Sequence, residues 1–402
     1  MSASVSRRRR LVVAVIALAT ATGLAACDAA DTLTGSEPDD SSSSSAPSTP
    51  AAPKVKLAAA QKTGLAIDQG LVFTAEQGTL RKLKVSSPDG PLEGQVGADG
   101  LSWTATGRLE PGTTYTATGL AERGDGSTQK VRATAATQEL TLDQQTYPSV
   151  APLQGETVGV GMPVIITFDV AVTDKAAFEK HMSVKSTPAQ PGAWHWLSDQ
   201  EVHWRPRTYW QAGTDVTVDV DVNSVPAGGG VYGQESRQVG FTVGDAVISK
   251  VNAQTHQMQT FINGALAKTT PITTGKAGFT TRSGVKVIME KFRSRRMNSE
   301  TIGIANDSAE GYDLDDVEYA MRVTYSGEFL HAAPWSVGSQ GQANVSHGCT
   351  GMSTADAKWL YDRSKRGDVV EYTGTDRPMT LTNGYGDWNA TFPDWKAGSA
   401  LS

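Results

Sequence analysis

Residues 331–353 read His-Ala-Ala-Pro-Trp-Ser-Val-Gly-Ser-Gln-Gly-Gln-Ala-Asn-Val-Ser-His-Gly-Cys-Thr-Gly-Met-Ser, and they hold two of the chain's six histidines and one of its two cysteines. A thiol attacks as its thiolate, so acyl transfer by Cys349 needs an imidazole within hydrogen-bond reach and donors for the developing oxyanion. His331 and His347 are the nearby imidazoles. Gly348 lets backbone approach closely, so the amides around Gly348 and Cys349 are the expected donors. Just downstream, Ser353 as N-cap and Asp356 complete a capping box, and Ala355, Trp359 and Leu360 make an apolar stripe, which predicts a helix running to about Lys365. The dipole at its N-terminus is expected to favour the thiolate modestly.

The rest of the third unit, 246–375, reads as mainly β. Gln257-Met-Gln-Thr-Phe-Ile262, then Asn263-Gly264, then Ala265-Leu-Ala-Lys268 is a hairpin signal, and Asp368-Val-Val-Glu-Tyr372 reads as a closing strand. The segment 376–402, with Trp388 and Trp395, is expected to pack on this unit as a short tail. The acidic run from Asp313 to Glu318 reads as a solvated loop.

Moving towards the N-terminus, 54–139 shows short alternating segments between Pro and Gly turns, such as Leu80-Arg-Lys-Leu-Lys-Val85, and Leu109, Pro111 and Tyr115 give a tyrosine-corner pattern. The segment 140–245 repeats the plan. Trp204, Gly213 and Val216 keep the mutual spacing of Trp103, Gly112 and Tyr115, which predicts tandem immunoglobulin-like sandwiches. Trp194, Trp196, Trp204 and Trp210 suit a sugar-stacking face or a sandwich core, and aromatic residues in such folds more often belong to the core. The expected fold is therefore mainly β, with two sandwiches ahead of a β-rich domain that carries one or two helices.

Residues 28–53 are Ser, Pro, Ala, Asp and Thr with almost no bulky apolar residue, a composition that predicts a disordered tether. Residues 1–27 read as an export signal: Arg7 to Arg10 form a positive region, Leu11 to Leu18 an apolar one too short to span a membrane stably, and Leu24-Ala25-Ala26-Cys27 closes it. With Cys27 taken up there, Cys349 has no intrachain partner and a disulfide framework is excluded. The net charge of −6 gives no sign of a nucleic-acid surface.

His331 followed at a distance by Ser346-His347-Gly348-Cys349 resembles the catalytic domain of the L,D-transpeptidase family, and the resemblance extends through the Asn263-Gly264 hairpin, Ser283-Gly284 and Met297-Asn-Ser299 to Asp387-Trp388-Asn389. Two upstream sandwiches match the layout of multidomain, actinobacterial-type members. By position the resemblance implies Cys349 as nucleophile, His331 as general base held by the Ala332 carbonyl, His347 as a support of the loop, and Ser346 and Gly348 as the rest of the motif. It implies that Tyr312 lies in a flap over the substrate and assigns Trp335 to the substrate-binding wall. Leu24-Ala25-Ala26-Cys27 resembles a lipobox, which implies a diacylglycerol anchor on Cys27 and a place on the outer face of the cell membrane. The implied reaction takes tetrapeptide stems of peptidoglycan as donor and acceptor and makes 3→3 crosslinks without a metal or organic cofactor; carbapenems are the implied inhibitors. One departure stands out. Family members commonly carry Asn or Arg two residues after the cysteine, whereas this chain has Gly351, so a polar contact to the donor stem is expected to be missing there.

Two other readings compete. His331, His347 and Cys349 are all residue types that bind zinc, but no fourth ligand or paired short spacing accompanies them. A wall-binding lipoprotein with an inactive last domain would explain Gly351 but not the retention of both His331 and Cys349.

Overall fold

A computed structural model of the protein describes residues 54–402; the export segment, the tether and Cys27 lie outside the described residues. The strands follow the expected period of two. In Asp215–Val220, for example, Val216, Val218 and Val220 are buried while Asp215 and Thr217 are exposed.

The first sandwich stacks the sheet of Lys56–Ala59, Val72–Glu76, Ser102–Ala105 and Gly94–Val96 on that of Gly90–Leu92, Gly78–Ser87, Thr114–Arg123 and Thr128–Ala136. Phe73, Trp103, Tyr115 and Val131 meet between them. The Tyr115 hydroxyl accepts the Glu110 amide at 2.7 Å, which closes the tyrosine corner. In the second sandwich, Pro148–Ala151, Val164–Phe168, Glu201–Pro206 and Gly192–Trp196 face Thr157–Val158, Arg237–Val243, Asp215–Val220 and Met182–Thr187. The repeat seen in the sequence is structural, because Trp103 and Trp204 are both buried and Gly112 and Gly213 both sit at positive φ, +60° and +80°. Trp194, Trp196, Trp204 and Trp210 all belong to the core, so none of them offers a sugar-stacking face.

The remaining domain packs a five-stranded sheet, ordered Ala265–Pro271, Gln257–Ile262, Val247–Asn252, Val369–Thr373 and Gly284–Val287, against a four-stranded one, ordered Glu290–Asn298, Asp313–Arg322, Phe329–Ala332 and Thr350–Met352. The hairpin turn uses Asn263 at φ +49° and Gly264 at φ +83°, the signs that a type I′ turn demands. Met258, Ile272, Leu330 and Met352 fill the space between the sheets, and Leu330→Ala there costs about 2–5 kcal/mol. The helix Thr354–Arg363 is capped by Ser353, whose hydroxyl accepts the Asp356 amide. Its buried stripe is Ala357 and Leu360; Ala355 points to solvent, contrary to the expected pattern.

Two further expectations are corrected. The run Asp313–Glu318 is not a loop but part of a flap strand, with Asp313 paired to Arg296 and Glu318 to Arg293 across the hairpin. The tail packs on the catalytic domain only in its first part, where Asn389 bonds both backbone groups of Val285. From Asp387 onward it also docks on the second sandwich: the Trp395 indole donates to Ala193 O, and Arg205 lies between Trp388 and Trp395, 4.8 and 4.9 Å from their rings. The receiving face of the sandwich is polar: His195 stacks on Trp395 at 4.5 Å between ring centres, and the Arg205 guanidinium meets the indole faces.

Candidate active site

Strand pairing brings the two ends of the sequence motif together. Phe329–Ala332 runs parallel to Thr350–Met352, with Leu330 opposite Thr350 and His331 opposite Gly351. Side chains alternate, so Leu330 and Ala332 turn to the core while Phe329 and His331 share the other face. Cys349, one step before the pairing begins, lies opposite Phe329 and therefore on the face of His331.

The imidazole of His331 is buried, and its Nδ1 lies 2.8 Å from Ala332 O, which can only accept; Nδ1 therefore carries the proton and Nε2 is left as the base. Burial lowers its pKa, which keeps the ring neutral. Trp335, 58% exposed, stacks over it with ring centres 5.9 Å apart. Burial also pushes the Cys349 thiol up to about 12, against a smaller opposing pull from the Phe329 backbone. Sγ rests 3.6 Å from Gly327 O rather than on the imidazole.

The loop that carries the thiol is held on three sides. Ser346 Oγ donates to Cys349 O at 2.6 Å and accepts the Gly348 amide at 3.1 Å. Thr281 Oγ1 donates to Gly348 O and accepts the Gly275 amide, both at 2.8 Å. Gly348 itself has φ +122°, which excludes other residues. Because the Gly348 amide is taken by Ser346, it is no oxyanion donor as the sequence suggested, which leaves the Cys349 amide of the two expected there. The helix dipole is likewise removed from the chemistry: the strand Thr350–Met352 separates Cys349 from the helix by roughly 10 Å, and the effect fades within a turn.

His347 faces the flap. Its Nε2 meets Glu310 Oε2 at 2.7 Å, Glu310 also pairs with Lys276 at 2.5 Å, and Phe279 and Tyr312 border the ring at 4.6 and 5.2 Å. Hydrogen bonds from Lys276 and His347 lower the Glu310 pKa. The three side chains tie the flap segment between Asn298 and Asp313 to the thiol loop. Among the described residues no three His, Cys, Asp or Glu side chains are grouped as a metal site would require.

Cys349 forms part of two cavities. One, of about 330 Å³, is walled by Met297, Tyr312, His331, Trp335 and His347; the other, of about 90 Å³, by Asn298, Tyr312, Tyr325 and Phe329. Met297 and Tyr312 border both, so they partition the space over the thiol. Burial holds the Tyr312 hydroxyl up at about 12, protonated and able to donate. A larger depression of about 630 Å³ between the sandwiches does not include Cys349 or either histidine; within it Arg108 pairs with Asp221 and Glu110 accepts from Asn223.

Gly351 is not a wall of either cavity. A Cβ there would lie 2.9 Å from Ala333 Cβ and 3.0 Å from Thr273 Cγ2, so the position faces packed protein and its expected role in substrate binding is withdrawn. Sequence reading missed Glu310, Lys276, Thr281 and a buried charge cluster of Arg282, Lys286 and Glu328 below the thiol loop. None of these lies in the motif, and no local pattern marks them.

Residues 246–371 match the family described as the L,D-transpeptidase catalytic domain, and 62–226 match that described as a bacterial Ig domain. L,D-transpeptidase 2 of Mycobacterium tuberculosis (strain CDC 1551 / Oshkosh) is 38% identical over 341 residues, 84% of this chain and 82% of that protein. L,D-transpeptidase 5 of Mycobacterium tuberculosis (strain ATCC 25618 / H37Rv) is 33% identical over 328 residues, 77% of this chain and 68% of that protein. The structure of the LD transpeptidase LdtMt1 in complex with imipenem superposes with a TM-score of 0.50 at 39% identity, covering 56% of this chain and 97% of that one.

Proposed function

The chain belongs to the L,D-transpeptidase family and is a peptidoglycan acyltransferase; on that premise we propose that Cys349 is its nucleophile and His331 its general base. The observation that carries this reading is the strand register that sets both side chains on one face at one cavity, with His331 Nδ1 already committed to Ala332 O. Burial holds the thiol protonated at neutral pH, so its proton must pass to His331 Nε2 as Sγ attacks. Attack falls on the carbonyl of the L-centre of diaminopimelate in a tetrapeptide stem. The oxyanion takes the Cys349 amide and the Tyr312 hydroxyl as donors. When the tetrahedral intermediate collapses, the imidazolium protonates the departing D-Ala nitrogen and a thioester remains. The side-chain amine of a second stem then attacks, gives its proton to His331 and leaves a 3→3 crosslink with the thiol restored. Cavities on both sides of Met297 and Tyr312 suit the successive approach of two stems. By the same chemistry a carbapenem acylates Cys349, in keeping with the imipenem complex of the similar LdtMt1.

Incubating the full chain with disaccharide-tetrapeptide and reading product masses tests the reaction. A dimer lacking one D-Ala is expected; tripeptide alone would mean that water is the acceptor and the enzyme an L,D-carboxypeptidase. The non-catalytic alternative loses its main support now that Gly351 is accounted for by packing. The lipobox-like Leu24-Ala25-Ala26-Cys27 further supports a diacylglycerol anchor that holds the enzyme on the outer face of the membrane. Labelling of cells with a fatty acid, lost on Cys27→Ala, checks that anchor.

A further inference from the structure

Beneath the thiol loop lies a charge cluster that the reaction scheme leaves unused. Glu328 follows Gly327, whose carbonyl lies 3.6 Å from Sγ, and its Cγ would be 3.7 Å from a Cβ placed on Gly348. One carboxylate oxygen accepts both the Arg282 amide, at 3.1 Å, and the Arg282 guanidinium, at 2.9 Å. The other accepts from the Lys286 ammonium. Lys286 is wholly buried, with its Nζ 3.7 Å over the Tyr372 ring, and the Tyr372 hydroxyl bonds Thr350 Oγ1, next to Cys349. Stability does not explain the arrangement, because an apolar pair of similar volume generally does as well as a buried ion pair. The cluster carries two cations and one anion, and the anion is the group packed on the thiol loop.

We propose that Lys286 is a positioning residue for acyl transfer, whose buried ammonium neutralises the Glu328 carboxylate so that Cys349 can ionise beside it. The proposal rests on Cys349 being the nucleophile. The titratable groups around the thiol loop are His331 and Tyr312 at the cavity, Glu328 packed by Gly348, Lys286 bonded to Glu328, and Tyr372 bonded to Thr350. Of the charged ones, Glu328 disfavours the thiolate and Lys286 favours it. Removing either should therefore move the thiol in opposite directions, which loss of packing alone cannot do.

The pH dependence of iodoacetamide alkylation of Cys349, read by peptide mass in the full chain, tests this. Alkylation converts thiolate and iodoacetamide to thioether and iodide, so its rate follows the thiolate fraction. The thiol pKa should follow the net charge of the cluster. At a fixed pH near 7, where Lys286 still carries its proton although burial lowers its pKa to about 8, Lys286→Met, at zero, should react about tenfold more slowly than wild type, and Glu328→Gln, at two positive, about tenfold faster, each tenfold being one pKa unit. The double variant Lys286→Met/Glu328→Leu keeps the wild-type net charge and should return to within a few-fold of its rate. Should Lys286→Met not fold, Glu328→Gln and the double variant still carry the test. Rates shifted in one direction by both single variants, or unshifted in folded protein, would overturn the proposal. Turnover of tetrapeptide by Cys349→Ala would instead refute the assignment of the nucleophile and leave the alkylation result readable.

Discussion

His331 is held by the carbonyl of its own neighbour, so the side chain at position 332 is irrelevant to the base while the backbone there is not. The lowered pKa of the ring sets the acid limb of the reaction. A base must be neutral, so kcat/KM falls as pH drops through the His331 pKa, and that limb should lie below the ordinary imidazole value of about 6.5. The pH profile of imipenem acylation measures it; a limb above 7 would contradict the burial argument. At Gly351 the account predicts that Ala or Asn destabilises the fold by about 1–3 kcal/mol in urea unfolding, because the added Cβ meets Ala333 and Thr273, and that neither improves use of the donor stem. The meeting of Cys349 and His331 at one cavity was legible in the sequence because acyl transfer needs those two types close together, and adjacent strands bring them there. Thr281, Lys286 and Glu328 were not, since nothing in an ordinary threonine, lysine or glutamate tells which distant loop it will support. The role of Gly351 was misread for a related reason: two residues past the nucleophile it shares the face of Cys349, but nothing local tells that Ala333 and Thr273 fill the space there.

The flap hairpin of Glu290–Asn298 and Asp313–Arg322 covers the thiol, and its connecting segment is tied down by Glu310 through His347 and Lys276. Exposed ion pairs add little to stability, so Glu310→Ala should leave the melting temperature within about 2 °C of wild type. Its effect should appear instead as a several-fold rise in KM for the stem, because a loosened flap binds the substrate less firmly. Steady-state kinetics beside a melting curve separates the two; an unchanged KM would show that the flap is held by its strands alone. The hairpin at Asn263-Gly264 and the helix from Ser353 were readable because turn and cap residues act locally. The flap strand hid behind its acidic run. Asp313 and Glu318 look like solvent residues, and only the arginines of the facing strand make them cross-strand partners.

The second sandwich, the catalytic domain and the tail form a continuous packing unit. Gly159 and Gly161 donate to the carbonyls of Arg366 and Gly367, both at 2.8 Å, and Val287, Met289 and Val369 join the core of the sandwich. At the tail, His203 bonds Asp387 at 2.7 Å and Glu201 at 3.0 Å; burial opposes protonation of its ring, but the two carboxylates raise its pKa to about 9. The folded value exceeds the unfolded one of about 6.5, so the stabilisation is complete below that pH and is lost as pH rises towards 9, at up to about 1.4 kcal/mol per unit. Hydrogen exchange of residues 385–397 should accordingly quicken between pH 6.5 and 9 beyond the intrinsic rate, and His203→Gln should remove that dependence. Two sandwiches were legible from the repeated Trp, Gly and aromatic or aliphatic spacing, but the docking of the tail was not, because Arg205 and His203 read as ordinary strand residues until Trp388, Trp395 and Asp387 arrive from far along the chain. For the molecule as a whole the central claim is a covalent one, and the intact mass of the full chain after brief exposure to disaccharide-tetrapeptide tests it most directly. The account predicts a mass gain equal to the stem less D-Ala, mapped to Cys349, absent in Cys349→Ala and at least a hundredfold slower to form in His331→Gln. An adduct that persists in Cys349→Ala, or one that forms at the wild-type rate without His331, would contradict it.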